Sequence, residues 1–154
     1  MANEQGKDTV RRMLDECVNV GRADLLAQHV TEDVLVHASS PGAAPDIVGL
    51  DQLRQAFTAF REVFPDLVVR ADQLIAEDDL IANRWTATGT HSGPLAGVPA
   101  SGCVVSWTGT DVYRLADGRI AEWWRHDDAS WLLRQVSGAD PATSTPARPG
   151  AGEG

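Results

Sequence analysis

Residues 104–127 read VVSWTGTDVYRLADGRIAEWWRHD, and their pattern decides the fold class. Two β-rich runs, 104–115 and 119–127, flank Ala116-Asp117-Gly118. That triplet is a tight-hairpin signal, because Asp and Gly tolerate the positive φ angles such turns need. Working back, 80–91 and 67–76 are further β-rich runs, and the Gly/Pro-rich 92–102 link (SGPLAGVPASG) is a loop between two long strands. Before Pro65 the period changes. Val10, Met13, Leu14, Cys17 and Val18 recur at i, i+3, i+4, i+7 and i+8, one apolar stripe on a helix ending near Gly21. A short second helix fits 23–29, stopped by a Thr31-Glu32-Asp33 turn. A short strand over 34–36 then runs to His37, and 39–45 is a loop. Leu53, Ala56, Phe57 and Phe60 mark a third helix, closed by Phe64-Pro65-Asp66. A last helix fits 129–136, with Asp128 as its N-cap. Helices first, then a long antiparallel meander, predict an α+β fold whose helices cover one face of a curved sheet. Such a sheet leaves a pocket at its open end.

Composition narrows the function. The 154 residues hold 22 Asp+Glu against 13 Lys+Arg, a formal net charge of −9. That length fits one domain. The acid excess, with no basic cluster beyond Arg11-Arg12, argues against a nucleic-acid or anionic-membrane partner. No apolar run approaches a membrane span, and the polar start MANEQGKD does not read as a signal peptide; with only Cys17 and Cys103, far apart, a reduced cytoplasmic setting is expected. Cys17 and Cys103 are isolated, and His29, His37, His91 and His126 lack metal-ligand spacing, so no metal site is expected. No nucleotide-binding or flavin fingerprint occurs, so the chemistry is expected to need no organic cofactor. Residues 1 to about 7 read as frayed. Residues 138–154 (GADPATSTPARPGAGEG) read as a disordered tail, with too little apolar area to offset ordering entropy. Residues 8–137 then form the single domain.

Several segments together are familiar. Phe64-Pro65-Asp66-Leu67, Asn83-Arg84-Trp85-Thr86, Gly89-Thr90-His91-Ser92-Gly93, Gly97-Val98-Pro99, Asp111-Val112-Tyr113-Arg114, Asp117-Gly118-Arg119-Ile120 and Glu122-x-Trp124 resemble the SnoaL-like polyketide cyclases. These belong to the nuclear transport factor two-like superfamily, and the resemblance implies a cone-shaped α+β barrel. It also implies a cofactor-independent cyclase or isomerase of secondary metabolism, of the antibiotic-biosynthesis kind. Its substrate would be an apolar or polycyclic polyketide, and its assembly a homodimer through the outer sheet face. The same scaffold hosts cofactor-free hydroxylases, epoxide hydrolases and non-catalytic binding modules, which remain alternatives. In the family's aldol cyclases a carboxylate on the last long strand is the general acid/base. A His or Asn near the first strand and a polar group on the penultimate strand position the substrate. By motif register His37 and Asp111 take those two positions, and Arg125 falls where the carboxylate would be.

Aldol closure needs a base for a proton α to a carbonyl and a donor for the enolate oxygen. Strand alternation puts Ala121, Trp123, Arg125 and Asp127 on one face and Glu122, Trp124 and His126 on the other. Asp111 or Asp127 is therefore the candidate base, since an apolar pocket raises a carboxyl pKa toward the working range. A structural ion pair of Asp111 with Arg125 or Arg114 is the competing role. Arg125 stays protonated and suits an enolate or carboxylate oxygen. Alternatively, the Asp–Arg–Asp set resembles the water-activating group of the epoxide-hydrolase branch. His37 is the candidate proton shuttle, aimed at the helix-covered face. His91, in the GTHSG turn, is first a turn-stabilising residue and second a substrate contact. Trp85, Trp107 and Trp123 are candidate cavity walls, with core packing as the alternative for each.

Overall fold

The computed structural model describes residues 2–38 and 45–138. Most of the loop expected at 39–45, and the tail beyond Gly138, lie outside the described residues. Helix α1 (Ala2–Arg12) passes into a π-helical segment (Met13–Asn19) and, after a break, a 3-10 segment (Ala23–Gln28). Strand β1 (Val30–His37) and the short β2 (Ile47–Val48) precede α2 (Leu50–Val63). Strands β3 (Val68–Glu77), β4 (Leu80–Thr90), β5 (Val104–Ala116) and β6 (Arg119–Trp124) follow, and α3 (Ala129–Ser137) closes the chain.

The fold is α+β. One sheet has the order β2-β1-β6-β5-β4-β3. Strands β3 to β6 form the expected antiparallel meander, whereas β1 runs parallel to β6. The sheet is curved but not closed into a barrel, since β2 and β3 are its two free edges. At the β5–β6 hairpin Asp117 and Gly118 take φ of 50° and 78°, the left-handed pair that the Asp-Gly signal requires. Ala121 is an extra residue in β6, because Leu115 pairs with Ile120 but Arg114 with Glu122. This bulge turns both Ile120 and Trp123 inward and tightens the local twist.

Three local expectations are corrected. Residues 2–7 are helical rather than frayed, because buried Gly6 docks on the sheet: a Cβ there would sit 2.9 Å from Ile81 Cδ1. Thr31-Glu32-Asp33 is strand rather than turn, as β1 starts at Val30 and is drawn into the sheet by pairing with Ile120. The last strand ends at Trp124, although the chain stays beside β5 through Thr110 N–H to His126 O (2.8 Å) and Asp128 N–H to Thr108 O (3.0 Å). Asp128 then caps α3, its Oδ1 accepting the Trp131 amide at 3.1 Å.

The helices pack on the concave face. The stripe Val10, Met13, Leu14 and Cys17 is buried with Val34, Val36, Tyr113 and Trp123. A second cluster joins Phe64, Trp85 and Trp107 to Leu132 and Val136 of α3. Asn19, at the end of the π-helical segment, pairs with both polar groups of Val69: it donates to the carbonyl (3.0 Å) and accepts from the amide (2.7 Å). Gln135 brackets the Ser106 backbone in the same way and fastens α3 to β5.

Gly109 sets the spacing of the β4–β5 pair. It lies opposite Trp85, and a Cβ there would collide with the Trp85 ring and lie 2.7 Å from the His126 carbonyl oxygen. Gly109→Ala is therefore expected to lower the urea unfolding midpoint, at a cost of about 1–3 kcal/mol. An unchanged midpoint would show that Trp85 yields freely. Burial pushes the Cys17 thiol up to about 11, so at pH 8 it stays protonated. Iodoacetamide at that pH should leave Cys17 unmodified in the folded protein and alkylate it in urea, read by peptide mass. Rapid labelling of the folded state would contradict this.

Candidate active site

A cavity of about 610 Å³ opens between the concave sheet face and the helical layer. Its walls are largely apolar and include the rings of Trp85 from β4, Trp107 from β5, Trp123 from β6, and Phe57 and Phe60 from α2. The rings hold one another in place. Phe57 meets Trp123 edge-on at 6.1 Å, Phe60 meets Trp107 edge-on at 6.1 Å, and Tyr113 packs on Trp123 at 5.0 Å. Alternation along β4 and β5 directs Ile81, Asn83, Trp85 and Ala87, and Val105, Trp107, Asp111 and Tyr113, to this side.

Asp111 is the buried acid of the wall, 5% exposed. Its Oδ2 accepts the Trp123 indole N–H at 3.0 Å and its Oδ1 the His126 amide at 3.1 Å. Burial raises its pKa above the ordinary carboxylate value. The His126 and Trp123 donors, the nearby Trp85 indole and the Arg125 charge oppose that rise. Arg125 and Asp127 also line the cavity. Among the described residues the Arg125 side chain has no hydrogen-bond or ion-pair partner, leaving its donors to the cavity. Trp85, Trp107 and Trp123 all line the cavity.

Two candidate histidines lie elsewhere. His37 is on the outer face of β1, because Val34 and Val36 take the inward positions. Its Nε2 is 2.7 Å from Glu122 Oε2, and its ring stacks on Trp124 at 5.3 Å. The expected approach of His37 to the helix-covered face is thus corrected. This contact and Arg114 hold the Glu122 carboxyl below its usual value. His91 is wholly buried beyond β4, and its Nδ1 accepts the Ser101 amide (3.1 Å) and contacts Ser101 Oγ (2.9 Å). It pins the 92–102 loop and is not among the lining residues.

Two further polar residues neighbour Asp111. Tyr113 lines the cavity two positions beyond Asp111, and Asn83 pairs with Asp111 across β4–β5. Strand alternation alone could have flagged Tyr113. Asn83 depends on the β4–β5 register, which the long 92–102 connection does not reveal. The described residues contain no group of three or more His, Cys, Asp or Glu placed to hold a metal ion. They also contain no helix long and apolar enough to cross a membrane.

Comparison with known proteins agrees with this architecture. No curated protein matches the sequence. A candidate SnoaL-like polyketide cyclase from Jannaschia sp. CCS1 superposes with a TM-score of 0.80 at 26% identity, covering 88% of this chain and 93% of its own. IdmH, a candidate polyketide cyclase from Streptomyces antibioticus, gives 0.73 at 26%, covering 86% and 98%. AclR, a candidate hydroxylase from Streptomyces galilaeus, shares the fold, with 0.76 at 24%, covering 95% and 85%. The SnoaL-like polyketide cyclase family model matches residues 8–136. With that match spanning most of its length, the chain belongs to the SnoaL-like polyketide cyclase family.

Proposed function

We propose that the protein cyclises or isomerises a polyketide-like carbonyl compound by aldol-type acid–base chemistry, with Asp111 as the base and Arg125 as the oxyanion partner. One observation carries this: a buried carboxylate of raised pKa on the wall of an apolar cavity, beside a guanidinium that has no hydrogen-bond or ion-pair partner among the described residues. Burial makes Asp111 a stronger base than a surface carboxylate, while its two N–H donors keep the ionised form accessible. Asp111 takes a proton from the carbon next to a carbonyl. The enolate carbon attacks a second carbonyl of the same molecule, a C–C bond forms, and the resulting alkoxide takes the proton back from Asp111. No atom is gained or lost. Arg125 donates to the enolate oxygen as charge develops there. The three indoles exclude water and suit a flat substrate.

A second reading rests on Asp127, which shares the cavity wall with Arg125 and Asp111. That set suits activation of a water for epoxide opening. Product mass separates the possibilities when the pure protein is incubated with a panel of polyketide intermediates. A new product of unchanged mass supports cyclisation or isomerisation. Gain of water supports epoxide opening, and gain of one oxygen atom supports hydroxylation. Tight binding without turnover would sink every enzymatic reading and leave a binding module.

On the turned-over substrate, Asp111→Asn is expected to cut kcat/KM by about 10²–10⁴-fold. The base works ionised, so activity should fall as pH drops through its raised pKa, with an inflection above the ordinary 3.8. Arg125→Met removes a charge that favours the carboxylate. It should move that inflection further up and cost roughly 10²-fold in kcat. Full activity in Asp111→Asn would refute the assignment.

A further inference from the structure

Near Asp111 lie polar atoms that the acid–base chemistry does not use. Asn83 and Tyr113 are 0% exposed and Trp85 is 8% exposed. Asn83 Nδ2 and Oδ1, Tyr113 Oη and Trp85 Nε1 are buried, and none is in hydrogen-bond geometry with a protein group. All four atoms belong to neighbours of Asp111 on the same sheet face. Asn83 is its cross-strand partner on β4, Trp85 lies one inward position along, and Tyr113 follows it on the same face of β5. The Trp85 indole acts on the Asp111 carboxyl, and Asn83 and Asp111 both act on the Tyr113 phenol, without closing a hydrogen bond in this geometry.

Each buried polar group left unpaired costs about 1–3 kcal/mol. The Tyr113 hydroxyl and the Trp85 indole N–H among them are expected to meet a partner that enters from outside. Tyr113 and Trp85 line the cavity, so the partner arrives through it. Its charge follows from the donors. The phenol keeps its proton, because burial and the adjacent Asp111 push its pKa well above 10.0. The indole N–H is neutral at every pH. The Asp111 carboxylate repels an anion, and the two neutral donors beside it can donate to an uncharged oxygen. The sheet order places Asp111 between β6, which leads into Arg125, and β4, which carries Asn83 and Trp85. The base is thus flanked by a charged donor on one side and neutral donors on the other.

We propose that Tyr113 and Trp85 form a neutral donor subsite for an uncharged substrate oxygen, a ketone carbonyl or a hydroxyl, with Asn83 as the positioning residue that orients the Tyr113 hydroxyl. The subsite deepens the reading of Asp111 as the base and rests on it for its place in the reaction. It makes Tyr113 a specificity-determining residue: substrates lacking an oxygen at that point leave the donors unpaired and bind poorly.

The test uses 1-tetralone, 1-tetralol, tetralin and tetralin-2-carboxylate as probes, with binding followed by quenching of the cavity tryptophans. Wild-type protein should bind tetralone or tetralol roughly tenfold more tightly than tetralin. Which of the two binds better identifies the oxygen as carbonyl or hydroxyl. Tyr113→Phe, which removes one oxygen atom, should abolish the preference and leave tetralin affinity unchanged. Asn83→Leu should reduce the preference in part. A merely structural role would weaken all probes alike and leave the ratio intact. No measurable binding of tetralone and tetralol by the wild type overturns the proposal. So does a preference that survives in Tyr113→Phe, or a stronger preference for the carboxylate. Probe binding needs no proton transfer. A Tyr113-dependent preference in a protein that turns over no substrate therefore refutes the catalytic reading alone.

Discussion

The Asp111 carboxylate is held between the Trp123 indole N–H and the His126 amide, and much of the molecule is arranged around that contact. The carboxylate lies on β5, and both donors belong to the chain of β6 and its continuation. The contact therefore ties the last hairpin together at the depth of the cavity. A charge so buried needs donors; one is the His126 backbone amide and the other the Trp123 indole, held by its packing on Phe57 and Tyr113. Trp123 can reach Asp111 because the Ala121 bulge turns it inward. The same ladder holds the chain beyond Trp124 against β5, which brings Arg125 and Asp127 onto the cavity wall. Fold and candidate chemistry thus share one set of hydrogen bonds.

The surroundings of Asp111 divide into apolar walls and a few polar atoms. The aromatic side chains of Trp85, Trp107, Trp123, Phe57 and Phe60 make the cavity hydrophobic and keep the carboxylate poorly solvated. Gly109 contributes by lacking a side chain, which lets the Trp85 ring lie over β5. The Asn19 and Gln135 pairs with Val69 and Ser106 secure the two ends of the helical layer over the sheet.

Much of this was legible in the sequence, for identifiable reasons. The period-2 runs around Asp117-Gly118 specify a β5–β6 hairpin, and alternation then puts Trp123, Arg125 and Asp127 on one face. The SnoaL-like motifs carried the family. What local patterns could not carry was long-range. The parallel pairing of β1 with β6 made strand of Thr31-Glu32-Asp33, a stretch whose composition favours a turn. Docking of Gly6 on Ile81 gave order to a polar N-terminus. His37 was misplaced for a subtler reason: a strand's period gives two faces but not which one the helices cover. The place of Asn83 is not legible in the sequence, because nothing local reveals which β4 residue lies opposite Asp111.

The most direct test of the account is the titration of Asp111 itself, followed by ¹³C NMR of protein labelled at the aspartate carboxyl carbons, with Asp111→Asn used to assign the resonance. The account predicts that this carboxyl titrates above the ordinary 3.8 of an aspartate. A midpoint at or below that value would mean that its donors outweigh its burial, and would contradict its role as the base.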